Sequence, residues 1–385
     1  MATENRFIDL YSEVEPCNYH KSDMITIQVR GIPEYNMENG NNNIKLNNCN
    51  KFNFNYGLAC LRIWMCFEVI LNHLWTYQEN EKIFWIFIKM KPVAVPVFML
   101  ISFFFMEPHF LNSTRESRKK RMWRIIYPQL GWAIIYFVIY RLDDLILDTN
   151  HVYRIEDLLL QICFGHSINQ TMWFQFDLIV LTFLFFLIFK HFSKDNKVAI
   201  KILFVLLLLS LFLQYTGLSY SLISHLRPEL SYPIGRIFEV LPYAVIGFYL
   251  AYFRVLDKLE SKIKIVIPTL LIIMLLNLWK NILPTITGFG YSGFSLLITA
   301  VCLTTIAYII RFPQFIQKNN CIKYVTKYTL GIYCMHRLVG NICEELFTIL
   351  GVPVGNFLYC IMIYICCYII SAVIARIPYM RGLVS

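Results

Sequence analysis

Ten apolar runs of about 17 to 23 residues, each bounded by charged residues, recur between positions 56 and 375 of the chain. A run of that length matches the hydrocarbon thickness an α-helix must cross. The runs lie near 56–77, 92–110, 123–142, 172–189, 201–218, 236–253, 265–280, 292–310, 328–350 and 356–375. They predict an all-α fold, a polytopic membrane bundle of about ten transmembrane helices behind a flexible polar leader. Composition agrees: 57% of the residues are hydrophobic and 16% charged, against roughly a quarter charged in soluble domains. The net charge of +10 does not indicate nucleic acid, because the basic residues are scattered between apolar runs and form no single patch.

Residues 1–55 form the expected leader. The tract NMENGNNNIKLNNCN is too polar to bury a core, while Ile25–Pro33 alternates well enough for a short strand. The leader lacks the apolar segment of a secretory signal. Residues 56–376 form the expected membrane domain and 377–385 a short tail. Twenty Lys and Arg residues fall in one set of alternate loops and the tail, and eight in the other set. By the positive-inside rule both termini are expected in the cytoplasm of a cell whose plasma or inner membrane holds the protein. The outer connection from Leu142 to Thr171 contains RIEDLLLQICFGH, with a period suited to an interfacial helix. The twelve cysteines show no zinc-site spacing and read as packing residues, so no metal is expected.

The first run, YGLACLRIWMCFEVILNHLWTY, carries Arg62, Glu68 and His73. Ionisable groups at membrane depth are costly and usually face a bundle interior or a cavity. Arg62 and His73 are eleven residues apart, which returns to within about 20° of the same helix face with a rise of roughly 16 Å. Glu68 lies off that stripe and is expected to pair with a neighbouring helix.

Several motifs, in order, resemble the acyltransferase-3 family of integral membrane acyltransferases. LRIWMCFEVILNH resembles the family's first-span Arg-to-His signature. VPVFMLISFFFM resembles its Ser-Gly-Phe run, with Ser102 matching and Phe103 in place of glycine. RKKRMWRIIYPQL resembles its basic loop, with Arg121, Arg124 and Pro128 in the matching places. TMWFQFDLI matches at Trp173 and Phe174, and LGIYCMHRLV at Tyr333 and His336. The resemblance spans roughly residues 55–375.

The resemblance implies an O-acyltransferase that moves an acyl group, acetyl most often, from cytoplasmic acyl-CoA as co-substrate to a hydroxyl of a glycan or glycolipid. No tightly bound cofactor is implied. It implies His73 and Arg62 as catalytic residues and Arg121, Arg124 and Ser102 on the coenzyme A side. His336, Tyr333 and Trp173 are implied on the acceptor side, and His166, in the outer connection just before Trp173, is a further acceptor-side candidate by its place in the sequence. Acyl transfer needs a base for the hydroxyl proton, and histidine supplies one near neutral pH. The chain ends about ten residues past the last run, so transfer is expected from the membrane domain alone or with a separate partner. A polytopic transporter or flippase is the alternative; the absence of a convincing repeat between the two halves counts against it. A non-catalytic membrane protein comes last, having no use for Arg62 and His73 together. His20, His109 and His191 read as solvated, as do Asp143 and Asp144. Asn112 and Asn169 begin glycosylation sequons.

Overall fold

The computed structural model describes residues 54–76, 90–112, 114–147, 153–192, 195–216, 225, 228–280, 293–318, 320–351 and 354–385. The leader and its expected strand lie outside the described residues. Residues Asn55–Ser385 form one compact unit, and every regular element among the described residues is helical.

The helices are α1 (Tyr56–Leu74), α2 (Ala94–Asn112), α3 (Arg115–Leu147), α4 (Ile155–Phe164), α5 (Trp173–His191), α6 (Asn196–Thr216) and α7 (Pro228–Tyr252). They continue with α8 (Val255–Glu260), α9 (Ile263–Lys280), α10 (Phe294–Ile309), α11 (Gln314–Lys318), α12 (Cys321–Lys327), α13 (Thr329–Ile349) and α14 (Phe357–Ile374). Each of the ten apolar runs falls on one of them. Seven of the described helices, α1, α2, α3, α5, α6, α7 and α14, are long and apolar enough to cross a membrane, and α9 and α10 are shorter apolar helices. The long helix α13 carries Arg337, Glu344 and Glu345.

Two helix starts lie furthest from those of the apolar runs. Helix α3 extends back through the basic segment to Arg115, because Arg and Lys are strong helix formers whose charge does not oppose a helix outside the hydrocarbon. Helix α7 begins at Pro228, ahead of the apolar run that starts near 236, since proline suits a first helical position.

Helices sort by burial. In α1, α2, α5 and α7, 61% of the apolar window is buried, against 22% in α6. Helix α6 turns Phe204, Val205, Leu208 and Phe212 outward; an apolar outer face of this kind is what a bilayer surrounds. Helix α1 sits centrally and packs on α2, α10, α13 and α14. Asn55 anchors its start twice. Its side chain accepts from Leu58 N–H at 2.9 Å, capping α1, and donates to the Tyr308 carbonyl at 2.9 Å, which α10 leaves open near its end.

Proline chemistry links α6 to α7. Pro242 has no N–H for the Phe238 carbonyl one turn earlier. That carbonyl accepts instead from Ser210 Oγ at 2.5 Å and Gln214 Nε2 at 2.6 Å. Replacing Ser210 by alanine and Gln214 by leucine together is expected to cost about 1–2 kcal/mol, read as a lower unfolding temperature in bilayer discs. An unchanged temperature would remove the bridge as a stabilising contact.

Candidate active site

Arg62 and His73 both reach the neighbouring helix α13. Arg62 Nη2 donates to Thr329 Oγ1 at 3.0 Å, at the first residue of α13. The His73 ring lies 5.4 Å from the His336 ring with a 35° tilt. The contacts therefore advance together along both helices, so α1 and α13 run in the same direction. Glu68 is buried and accepts from Trp64 Nε1 on its own helix at 2.8 Å.

His336 is fully buried. Its Nδ1 lies 2.6 Å from the Tyr333 carbonyl. A carbonyl only accepts, so the proton sits on Nδ1, and in the neutral ring Nε2 presents a lone pair. That Nε2 is buried without a hydrogen-bond partner among the described residues. Arg337, an unexpected cation in an apolar run, donates through Nη1 to the His73 carbonyl at 3.2 Å. Cations suit helix C-termini, where the last carbonyls lack partners, and this contact holds the end of α1 against α13.

Tyr136 on α3 supports the same turn. Its hydroxyl donates to the Cys334 carbonyl at 2.9 Å and accepts from Leu338 N–H at 3.2 Å. These groups are the two ends of one helical rung, so a side chain is inserted in the α13 ladder on either side of His336.

The ring wall continues from the histidines. Tyr333 is buried 6.0 Å from His336, and its hydroxyl donates to the Thr171 carbonyl. Its ring meets Phe174 edge-on at 5.5 Å. Trp173 follows, buried at the start of α5, and lies 5.1 Å from the guanidinium of Arg236 on α7. The guanidinium of Arg236 also lies over Tyr232 at 4.7 Å, and Tyr232 is 6.0 Å from His166. Arg236 also donates to the Phe164 carbonyl at 3.0 Å and stands 3.6 Å from Asp177, both side chains being buried. Hence His73, His336, Tyr333, Trp173 and His166 are joined by a chain of ring contacts that passes through Phe174, Arg236 and Tyr232.

Asp177 and Arg236 were not among the candidate residues from sequence. The available signal was their placement: a carboxylate within the apolar run of α5, and an arginine at the border of the α7 run. Beside them, Gln129 Nε2 donates to the Gln161 carbonyl at 3.0 Å and Gln161 Nε2 to the Asn169 carbonyl at 3.2 Å. Asn169 is 3% exposed, and its Oδ1 accepts from Thr171 N–H and Oγ1, so this sequon is closed to glycosylation. Helix α4 forms where the amphipathic period predicts, with Ile155 and Leu159 outward and Gln161 inward. That inverted arrangement fits a helix whose outer side meets lipid.

The remaining candidates lie elsewhere. Arg121 and Arg124, half-buried early in α3, are near enough to His109 on α2 to act on it electrostatically. Ser102 is half-buried midway along α2.

Comparison with known proteins is consistent with this architecture. The family model described as an acyltransferase domain, that of acyltransferase-3, matches residues 55–376. No curated protein and no solved structure matches the chain. With five-sixths of its length inside that match and seven of its described helices long and apolar enough to cross a membrane, the chain belongs to the acyltransferase-3 family of membrane acyltransferases.

Proposed function

We propose that the protein transfers an acyl group, acetyl first among them, from cytoplasmic acyl-CoA to a hydroxyl of a surface or lipid-linked glycan. It does so in the plasma or inner membrane, with ten spans and both termini in the cytoplasm. The observation that carries the site is the close approach of His73 to His336 on parallel helices. His73 takes the proton of the acceptor hydroxyl as its oxygen attacks the thioester carbon. The tetrahedral intermediate then expels the thiolate of coenzyme A, which receives that proton. A brief acyl-histidine is the other route open to the same ring.

Arg62 stands roughly 16 Å along α1 from His73. A guanidinium there, tied to Thr329, is placed to hold the donor away from its reacting carbon. Arg121 and Arg124 take the phosphates of coenzyme A through charge-assisted forks, and Ser102 lies on the donor path. His336, Tyr333, Trp173 and His166 face the acceptor. A buried, ring-lined site also keeps water from the thioester.

The test is transfer of radiolabelled acetyl from acetyl-CoA to glycan in membranes expressing the protein. Wild-type membranes are expected to label glycan. Arg124→Gln should raise the KM for acetyl-CoA about 10-fold to 100-fold, the value of a charge-assisted hydrogen bond. Absence of label with acetyl-CoA, succinyl-CoA and longer acyl-CoAs would overturn the reading.

A further inference from the structure

The pair formed by Asp177 and Arg236 is poorly satisfied for its depth. Asp177 is 0% and Arg236 2% exposed. They stand 3.6 Å apart, beyond a normal hydrogen bond. Both carboxylate oxygens of Asp177, and Nε and Nη1 of Arg236, have no hydrogen-bond partner among the described residues. Among the described residues, the single hydrogen bond of this group runs from Arg236 Nη2 to the Phe164 carbonyl. Buried charges left in this state cost several kcal/mol unless further hydrogen bonds complete them. Two idle acceptors beside two idle donors amount to an unfilled hydrogen-bonding site.

We infer that Asp177 and Arg236 bind adjacent hydroxyls of a neutral sugar or polyol. The inference rests on the glycan acceptor proposed above and assigns that acceptor a subsite. Charge decides the ligand class. An anion would satisfy Arg236 but meet repulsion from Asp177, and an ammonium group the reverse. A hydroxyl both donates and accepts, so two neighbouring hydroxyls can donate to the carboxylate and accept from the guanidinium without adding charge. The rings help as well: the guanidinium lies over Trp173 and Tyr232 at 5.1 and 4.7 Å, which holds its N–H groups in place for incoming hydroxyls.

Access is short. Tyr232 is 46% exposed and covers Arg236, so the pair lies one side chain beneath the surface. On its inner side Trp173 leads through Phe174 and Tyr333 to His336. The proposed subsite therefore belongs to the same connected group of rings as the histidines.

The test uses the full chain in bilayer discs, with methyl β-glucopyranoside, methyl α-galactopyranoside and myo-inositol as probes. Inorganic phosphate and ethanolamine serve as charged comparators. At least one neutral probe is expected to raise the unfolding temperature by about 2 °C or more, and the comparators are expected to leave it unchanged. Asp177→Asn should lose most of that shift. The double variant Asp177→Asn with Arg236→Gln should also lose it, and removes both charges so that neither is stranded if the single variant folds poorly. Tyr232→Ala, at an exposed position, should weaken the shift without a folding defect, and decides the matter if neither charge variant folds. No shift from any neutral probe, an equal shift in the variants, or a larger shift from phosphate or ethanolamine would overturn the inference. Acetyl transfer is scored separately. A polyol shift without transfer would defeat the proposed function and leave the subsite standing, while transfer without a polyol shift would do the opposite.

Discussion

His73→Ala is expected to lower the rate of acyl transfer by about 10²-fold to 10⁴-fold, the range that a positioned general base contributes. The substitution suits the test because His73 is only half-buried, in the last turn of α1, and its contact with Arg337 runs through the backbone carbonyl, which alanine keeps. The tie between α1 and α13 should therefore survive, and the variant should reach the membrane at wild-type levels. Glycan labelling from acetyl-CoA is measured at matched protein, with and without imidazole added to the medium. Partial recovery with imidazole would identify proton transfer as the missing step. A variant that keeps more than about a tenth of the wild-type rate would exclude His73 as the base and shift attention to Nε2 of His336.

The second large effect concerns packing. Gly247→Ala should leave little folded protein, at a cost of about 3 kcal/mol or more, the upper end for overpacked sites. A Cβ at Gly247 would lie 2.2 Å from the Leu100 carbonyl oxygen and 3.1 Å from its Cα. Both are backbone atoms of α2 and cannot turn aside as a side chain would. Close backbone approach through a small residue is a common way for helices to associate in lipid, where apolar burial supplies no drive. The α2–α7 contact is the most extensive between any two helices described, so forcing it apart should propagate into α5, which packs on both. Gly57 makes the same kind of approach, with a Cβ position 1.8 Å from the Ala307 carbonyl oxygen. The measurement is the monodisperse fraction after detergent extraction, with the unfolding temperature of whatever remains. A Gly247→Ala protein with wild-type yield and unfolding temperature would refute the close contact.

Much of the fold was legible because lipid leaves the backbone few choices. A stretch of some twenty apolar residues must satisfy its own N–H and C=O groups, and the helix does so locally. The helices could therefore be placed from apolar runs alone. Their ends were less legible: Arg115–Arg124 and Pro228–Gly235 continue helices through polar residues, where apolarity stops but helix propensity does not. Within the site, Arg62 and His73 could be assigned to one face because both lie on a single helix with a fixed period. Asp177 and Arg236 could not be joined, since they are distant in sequence and lie on different helices.

The sequence by itself determined the membrane class, the helical segments, the shared face of Arg62 and His73, and the motif order that resembles acyltransferase-3. All of these are local, set by length, period and the cost of charge in hydrocarbon. Only the tertiary structure decided that α13 runs alongside α1, that His336 faces His73, that Arg337 closes the end of α1, and that Asp177 meets Arg236 beneath Tyr232. Each joins segments far apart in the chain, and periodicity carries no information about which faces meet. Side-chain packing and the need to complete buried polar groups make that choice.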